Sequence, residues 1–213
     1  MCIRDRYYLL PLLGLLIPVL FFLGLFVGRH SIFQKHRGEA EVANAILENC
    51  QEPSHLFNNI TLQTENGTTQ IDHILVNHAG IFVIETKNYS HWIYGDPKNK
   101  NWTQVNFKKK TPFLNPIKQN QGHINALKKL LTKLSGHHFH NLVVFTGTAE
   151  FKTDLGPWVI QLFELRSFLN RDWPTLLDEN KITYIVGRIE MKRLNRSAQT
   201  DEYHINYARS KMK

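Results

Sequence analysis

The sequence predicts an α/β protein, a mixed central sheet flanked by helices, with one transmembrane helix in front of it. Residues 7–27 form an uninterrupted apolar run. The rest of the chain alternates helical and extended hydrophobic periodicity, the pattern of helices packed on a sheet. With 42% hydrophobic residues in 213, a buried core is affordable and global disorder is excluded. Two cysteines, Cys2 and Cys50, exclude a disulfide scaffold and a four-cysteine zinc site.

Taken in order, Tyr7 to Val27 spans 21 residues without a charge or an Asn, Gln, Ser or Thr. About 20 such residues cross a ~30 Å hydrocarbon core. The run is too long for the apolar part of a signal peptide, and no small-residue cleavage pattern follows it. Arg4 and Arg6 precede it; Arg29, Lys35 and Arg37 follow within a basic linker, residues 28–37. This bias expects the body to face the cytoplasm of a bacterial inner membrane. The chain carries 26 Lys+Arg against 18 Asp+Glu, a net +8, of which residues 38–213 hold only +4. That remainder permits nucleic-acid binding without demanding it.

The main domain is expected over residues 38–162. Val42, Ala43, Ile46 and Leu47 mark a helix from Gly38 to Cys50. Extended runs follow at Leu56–Gln63, Thr69–Asn77 and Gly80–Asn88, the first two divided by an Asn-Gly turn cluster. Trp92–Gly95 and Asn101–Phe107 read as further strands, and Lys108, Lys109 and Lys110 as a basic loop. Asn115-Pro116 opens a helix reaching about Leu134, with Pro at the favoured first position. Leu142–Thr146 and Trp158–Leu162 complete one central sheet. Residues 163–213 form a helical extension and tail, with helices at Glu164–Leu169 and Lys181–Leu194.

The chemistry concentrates in Gln70–Val76 and Gly80–Asn88. A two- or four-residue hairpin loop between them sets Asp72 opposite Glu85 and Gln70 opposite Lys87, all on one face. Facing Cβ atoms lie about 4.5–5.5 Å apart. Two carboxylates that close repel, and a divalent cation would remove the repulsion, since hard cations prefer carboxylate oxygen. On this reading Glu85→Gln relieves repulsion and stabilises the metal-free protein. The bland alternative is a strand-edge Asp72 beside a surface Glu85–Lys87 pair worth ~0–1 kcal/mol. Apolar residues on both faces weigh against it. Ile71, Leu75, Phe82 and Ile84 are expected on one face, and Ile74, Val76, Ile81 and Val83 on the other.

An Asp followed by Glu-x-Lys on the next strand resembles the PD-(D/E)xK nuclease superfamily. The fuller pattern resembles its nuclease-related domain family, often called NERD: Gly38-Glu39, Gln70-Ile71-Asp72-His73, Gly80 to Asn88, Trp102 and Asn115-Pro116-Ile117-Lys118-Gln119. The resemblance covers about residues 38–135 and implies a restriction-endonuclease-like fold. It implies Asp72, Glu85 and the Thr86 carbonyl as ligands of Mg²⁺ or Mn²⁺, and Lys87 as the group orienting the attacking water. Glu39 and Gln70 would assist, and Asn115 and Gln119 would shape the substrate cleft. Ile71 stands where the motif's Pro would be.

Lys108 to Lys110, with Phe107 and Trp102, are a candidate phosphate contact, with a solvated loop as the competing reading. His137, His138 and His140 read as a polar helix terminus. No phosphate-binding loop, zincin or serine-hydrolase motif occurs. The expectation is a membrane-anchored, metal-dependent nuclease acting on DNA. The alternative is a nuclease-fold module that binds nucleic acid or a partner protein without cleaving.

Overall fold

A computed structural model of the chain describes residues 36–50, 52–65, 67–195 and 200. The apolar run 7–27 lies outside them; among the described residues no helix is long and apolar enough to cross a membrane. Helix α1 (36–49) is followed by strands β1 (Ser54–Thr64), β2 (Gly67–Asn77) and β3 (Gly80–Asn88). Then come β4 (His91–Tyr94), β5 (Asn101–Asn106), β6 (Lys109–Leu114) and α2 (Pro116–Leu130). β7 (Phe139–Thr146), β8 (Ala149–Phe151), β9 (Val159–Gln161), α3 (Leu165–Leu169) and α4 (Glu179–Lys192) follow.

The expected single sheet is in fact two, a five-stranded one ordered β1-β2-β3-β7-β9 and a four-stranded one ordered β6-β5-β4-β8. The sequence reading missed two strands, β6 and β8. Lys109 and Lys110 belong to β6, pairing with Asn106 and Val105, so only Phe107 and Lys108 form the turn. Three lysines in a row hide a strand because an edge strand tolerates charge on its open side. β8, three residues long, is too short to show a period.

Helices cover both faces of the larger sheet. On one, Ile124, Leu127 and Leu131 near α2 and Ile182, Ile185 and Ile189 of α4 pack on Ile74, Val76, Ile81 and Val83. α4 is therefore part of the core. On the other face, Val42 and Ile46 of α1 and Leu165 and Phe168 of α3 cover Leu75, Phe82, Ile84, Leu142 and Val144. Truncating one such fully buried Leu or Ile to Ala typically costs about 2–5 kcal/mol. The smaller sheet turns Ile93 and Trp102 toward Val143 and Phe145 in a third cluster.

Alternation along β2 fails at one place. Ile71 belongs to the same cluster as Ile74 and Val76, not with Leu75 and Phe82 as strict alternation requires. The face changes between Ile71 and Ile74, around Asp72 and His73. The β1–β2 ladder has a gap there: Asn58 pairs with His73 and Ile60 with Ile71, and between them Asn59 adopts φ 55. Asn is among the residues that enter this left-handed region most readily.

Candidate active site

The expected hairpin register holds where the strands pair. A two-residue loop, His78-Ala79, sets Asn77 against Gly80, and the ladder runs to His73 against Ile84. It stops one step short of Asp72 and Glu85. β3 continues as a parallel partner of β7, from Ile81–Phe139 to Asn88–Thr146. From Glu85 onward β3 has thus left β2, and the parting of the strands opens a notch. Asp72, 4% exposed, fills it: its Oδ2 accepts a 2.9 Å hydrogen bond from the Thr86 backbone N–H. Asp72 is held by the backbone of β3 rather than by a ladder partner.

Glu85 is 3% exposed and faces α2. Its Oε1 accepts from Lys87 Nζ at 2.6 Å and from Gln119 Nε2 at 2.8 Å. Lys87 Nζ also donates to Gln119 Oε1 at 3.0 Å, closing a three-cornered network. Glu85 Oε2 lies 3.3 Å from His123 Nε2 without a hydrogen bond. His123 Nδ1 is 2.7 Å from Thr69 Oγ1 on β2. Burial alone would raise the Glu85 pKa, but Lys87 and His123 outweigh it and hold the carboxyl at about 2. Burial would lower Lys87; the charges of Glu85 and Asp72 overcome this and raise it above the ordinary lysine value. His73 goes the other way. Burial drives it down to about 4, with Glu85 opposing only in part.

The structure brings together Asp72, Glu85, Thr86, Lys87 and Gln119. Glu39 is buried on α1, whose first turn rests on the ends of β3 and β7. Gly38 makes that seat possible, because a Cβ there would meet Thr146 Oγ1 at 2.7 Å and the Asn88 Cβ at 3.1 Å. Gln70 lies beyond the end of the β2–β3 ladder, half-buried and paired with Thr61, so its expected place opposite Lys87 is not realised. Asn115 is fully buried and has no surface to offer a ligand. Its Oδ1 caps α2 through Ile117 N, and its Nδ2 donates to the carbonyls of Pro97 and Asn99 at 3.0 and 2.8 Å. It shapes the region from beneath. Lys108, Lys109 and Lys110 are exposed.

Two participants escaped the sequence reading. His123 falls four residues after Gln119, one helical turn along α2, and that spacing was its available signal. Asn120 ties β3 to β7, donating to Val83 O at 2.7 Å and Leu142 O at 3.2 Å. Among the described residues no group of three or more His, Cys, Asp and Glu side chains is arranged to hold a metal ion. Two carboxylates and a main-chain carbonyl are a smaller set of donors, all hard oxygen of the kind Mg²⁺ takes. Glu85 Oε2, buried and with His123 Nε2 3.3 Å away, is the one of its two oxygens not taken by Lys87 and Gln119.

A mixed α/β fold with a buried Asp and Glu and a partly buried Lys at the parting of two strands is the class of protein that results. The nuclease-related domain family model matches residues 34–146, more than half of the chain, and the chain belongs to that family. It is also 42% identical over 119 residues to an uncharacterised protein of Bacillus anthracis, a match covering 55% of this chain and 56% of that one. The match thus spans about half the length of its relative. No solved structure matches.

Proposed function

We propose that the chain is a membrane-anchored, metal-dependent nuclease with a restriction-endonuclease-like core, hydrolysing phosphodiester bonds in DNA. The observation that supports this best is the partly buried Glu85–Lys87–Gln119 network beside Asp72. In the PD-(D/E)xK reading, Asp72, Glu85 and the Thr86 carbonyl hold Mg²⁺ or Mn²⁺. The ion, when bound, supplies Lewis acidity and lowers the pKa of a bound water. The chain's own residues do the positioning. Lys87, fixed between Glu85 and Gln119, orients the attacking water and offers positive charge to the phosphate. His123, bonded to Thr69, stands 3.3 Å from Glu85 Oε2 and limits its movement on the side of α2. Residues 7–27 anchor the body on the cytoplasmic side of a bacterial inner membrane.

The rival reading, a module that binds without cleaving, draws support from the same pair: Glu85 Oε1 already accepts two hydrogen bonds. The test is cleavage of linear, circular and single-stranded DNA and of RNA by the purified chain, with Mg²⁺, Mn²⁺ or chelator. Metal-dependent cleavage lost in Lys87→Ala supports the enzyme. Binding without cleavage under every condition replaces it with the binding module.

A further inference from the structure

The smaller sheet has one dry face and one that breaks the usual rule. Antiparallel sheets that meet water on one side ordinarily show polar residues there. Here Ile93, Trp102 and Phe113 point into the core. The alternate residues Trp92 and Tyr94 point outward and are 45% and 38% exposed. Cross-strand pairing sets Val105 beside Trp92 and Thr103 beside Tyr94, with Lys110 beside Val105. Lys152 Nζ sits 5.0 Å over the Trp92 ring. Glu150, paired beside Trp92, accepts a 2.7 Å hydrogen bond from Lys152. At the tip of the β5–β6 hairpin Phe107 is 89% exposed, with φ 52, and contacts the His91 ring at 5.7 Å between centroids. Non-glycine residues enter that backbone region at a cost, and such outliers cluster at functional sites.

Flat, exposed rings bordered by ammonium groups match a chain of unstacked bases on a phosphate backbone. The position suits it as well. β4 follows β3 after two residues, so Trp92 lies five residues beyond Lys87, within about 17 Å along the chain. Gln104 Nε2 bonds Ser90 O at 2.8 Å and fixes that connection.

We propose that Trp92, Tyr94 and Phe107, flanked by Lys110 and Lys152, form a stacking platform for single-stranded DNA leading to the site at Glu85 and Lys87. The choice of DNA rests on the function proposed above.

The test is binding by the full chain in mild detergent with chelator present, so that no cleavage enters the reading. The probes are a short fluorescent single-stranded DNA, its duplex, the same sequence as RNA, and anionic lipid vesicles. Single-stranded DNA is expected to bind more tightly than duplex and to quench tryptophan fluorescence. Trp92→Ala with Tyr94→Ala is expected to weaken single-strand binding by about a hundredfold, at roughly tenfold for each of the two lost stacking contacts, with duplex binding little changed. Trp92→Phe keeps a ring, so it retains the affinity and loses the quench. This second variant serves if the double one fails to fold. Unchanged quenching in Trp92→Phe overturns the proposal. So does native-like single-strand affinity in a folded double variant. Rings that serve RNA, vesicles or self-association in place of DNA overturn it too. Platform binding without any cleavage sustains this inference while sinking the nuclease. Cleavage with unaltered affinity in the double variant does the reverse.

Discussion

The sign of one electrostatic effect changes once the residues have places. Facing Asp72, Glu85 would repel it; held by Lys87 and His123, it is instead a stabilised anion with a pKa of about 2. Glu85→Gln is therefore expected to destabilise the metal-free protein by about 3 kcal/mol at pH 7, since it leaves Lys87 buried without its counter-charge. In a cleavage assay the same variant loses about 10²–10³ in rate, the usual cost of a lost electrostatic contact to the reacting group. A melting temperature equal to or above that of the wild type would return Glu85 to the repulsive arrangement. His73 gives a second signature. Its folded pKa of about 4 lies below the ordinary 6.5. The unfolded chain then binds more protons between those values, and stability falls as pH drops from 6.5 toward 4, by about 3 kcal/mol in all. Glu85, ordinarily 4.5 and here about 2, adds a separate loss below pH 4.5. Denaturant midpoints in chelator should show both limbs, and His73→Gln should flatten the upper one while leaving the lower.

Helix α2 shows why secondary structure was easier to read than the site. Its apolar residues Ile124 and Leu127 recur at helical spacing and give the element away. Gln119 was legible through the family pattern, but Asn120 and His123 carry no periodic signal, and Asn120 is fully buried because it serves the backbone of β3 and β7. Periodicity records polarity and not hydrogen-bond partners, so Asp72, Glu85 and Lys87 were legible through their motif while His123 was not. Hairpin register could be read because a two-residue loop fixes it; the departure of β3 toward β7 could not, because a parallel pairing partner lies about 60 residues away. Asn115 supplies the test at this scale. Asn115→Ala removes both the cap and the donor to Pro97 and Asn99, for an expected loss of about 2–3 kcal/mol in chemical denaturation. Asn115→Asp keeps the cap and should lose only part of this. At the opposite end of the smaller sheet, Phe107 occupies the first position of a two-residue turn with φ 52, where glycine is preferred. Phe107→Gly is expected to raise stability by about 1 kcal/mol and to weaken single-stranded DNA binding in the same protein. A variant that gains nothing in stability would remove the argument from strain.

Over the whole chain, hydrophobic residues fall into two groups. Among the described residues the three apolar cores draw on positions from Val42 to Ile189, while the run 7–27 holds enough apolar length for one crossing of a ~30 Å hydrocarbon layer. The described core residues by themselves cover both faces of the larger sheet. Removal of residues 1–30 should therefore leave the body folded, with a melting temperature within about 2 °C of the full chain, a shift that corresponds to about 0.5–1 kcal/mol for a domain of this size. The intact chain should behave differently on fractionation. An apolar helix that spans the bilayer resists carbonate, whereas a protein held only by Arg29, Lys35 and Arg37 on anionic lipid is washed off by salt, because surface charges separated by more than a Debye length of ~10 Å at 0.1 M are screened. The full chain should stay in the membrane pellet through both washes, and the shortened chain should appear in the supernatant. A reporter fused after Lys213 should be active only in its cytoplasmic form, because the longer basic flank follows the run. Reporter activity on the outer side would separate the body from DNA inside the cell, and the proposed substrate would have to be abandoned together with the orientation.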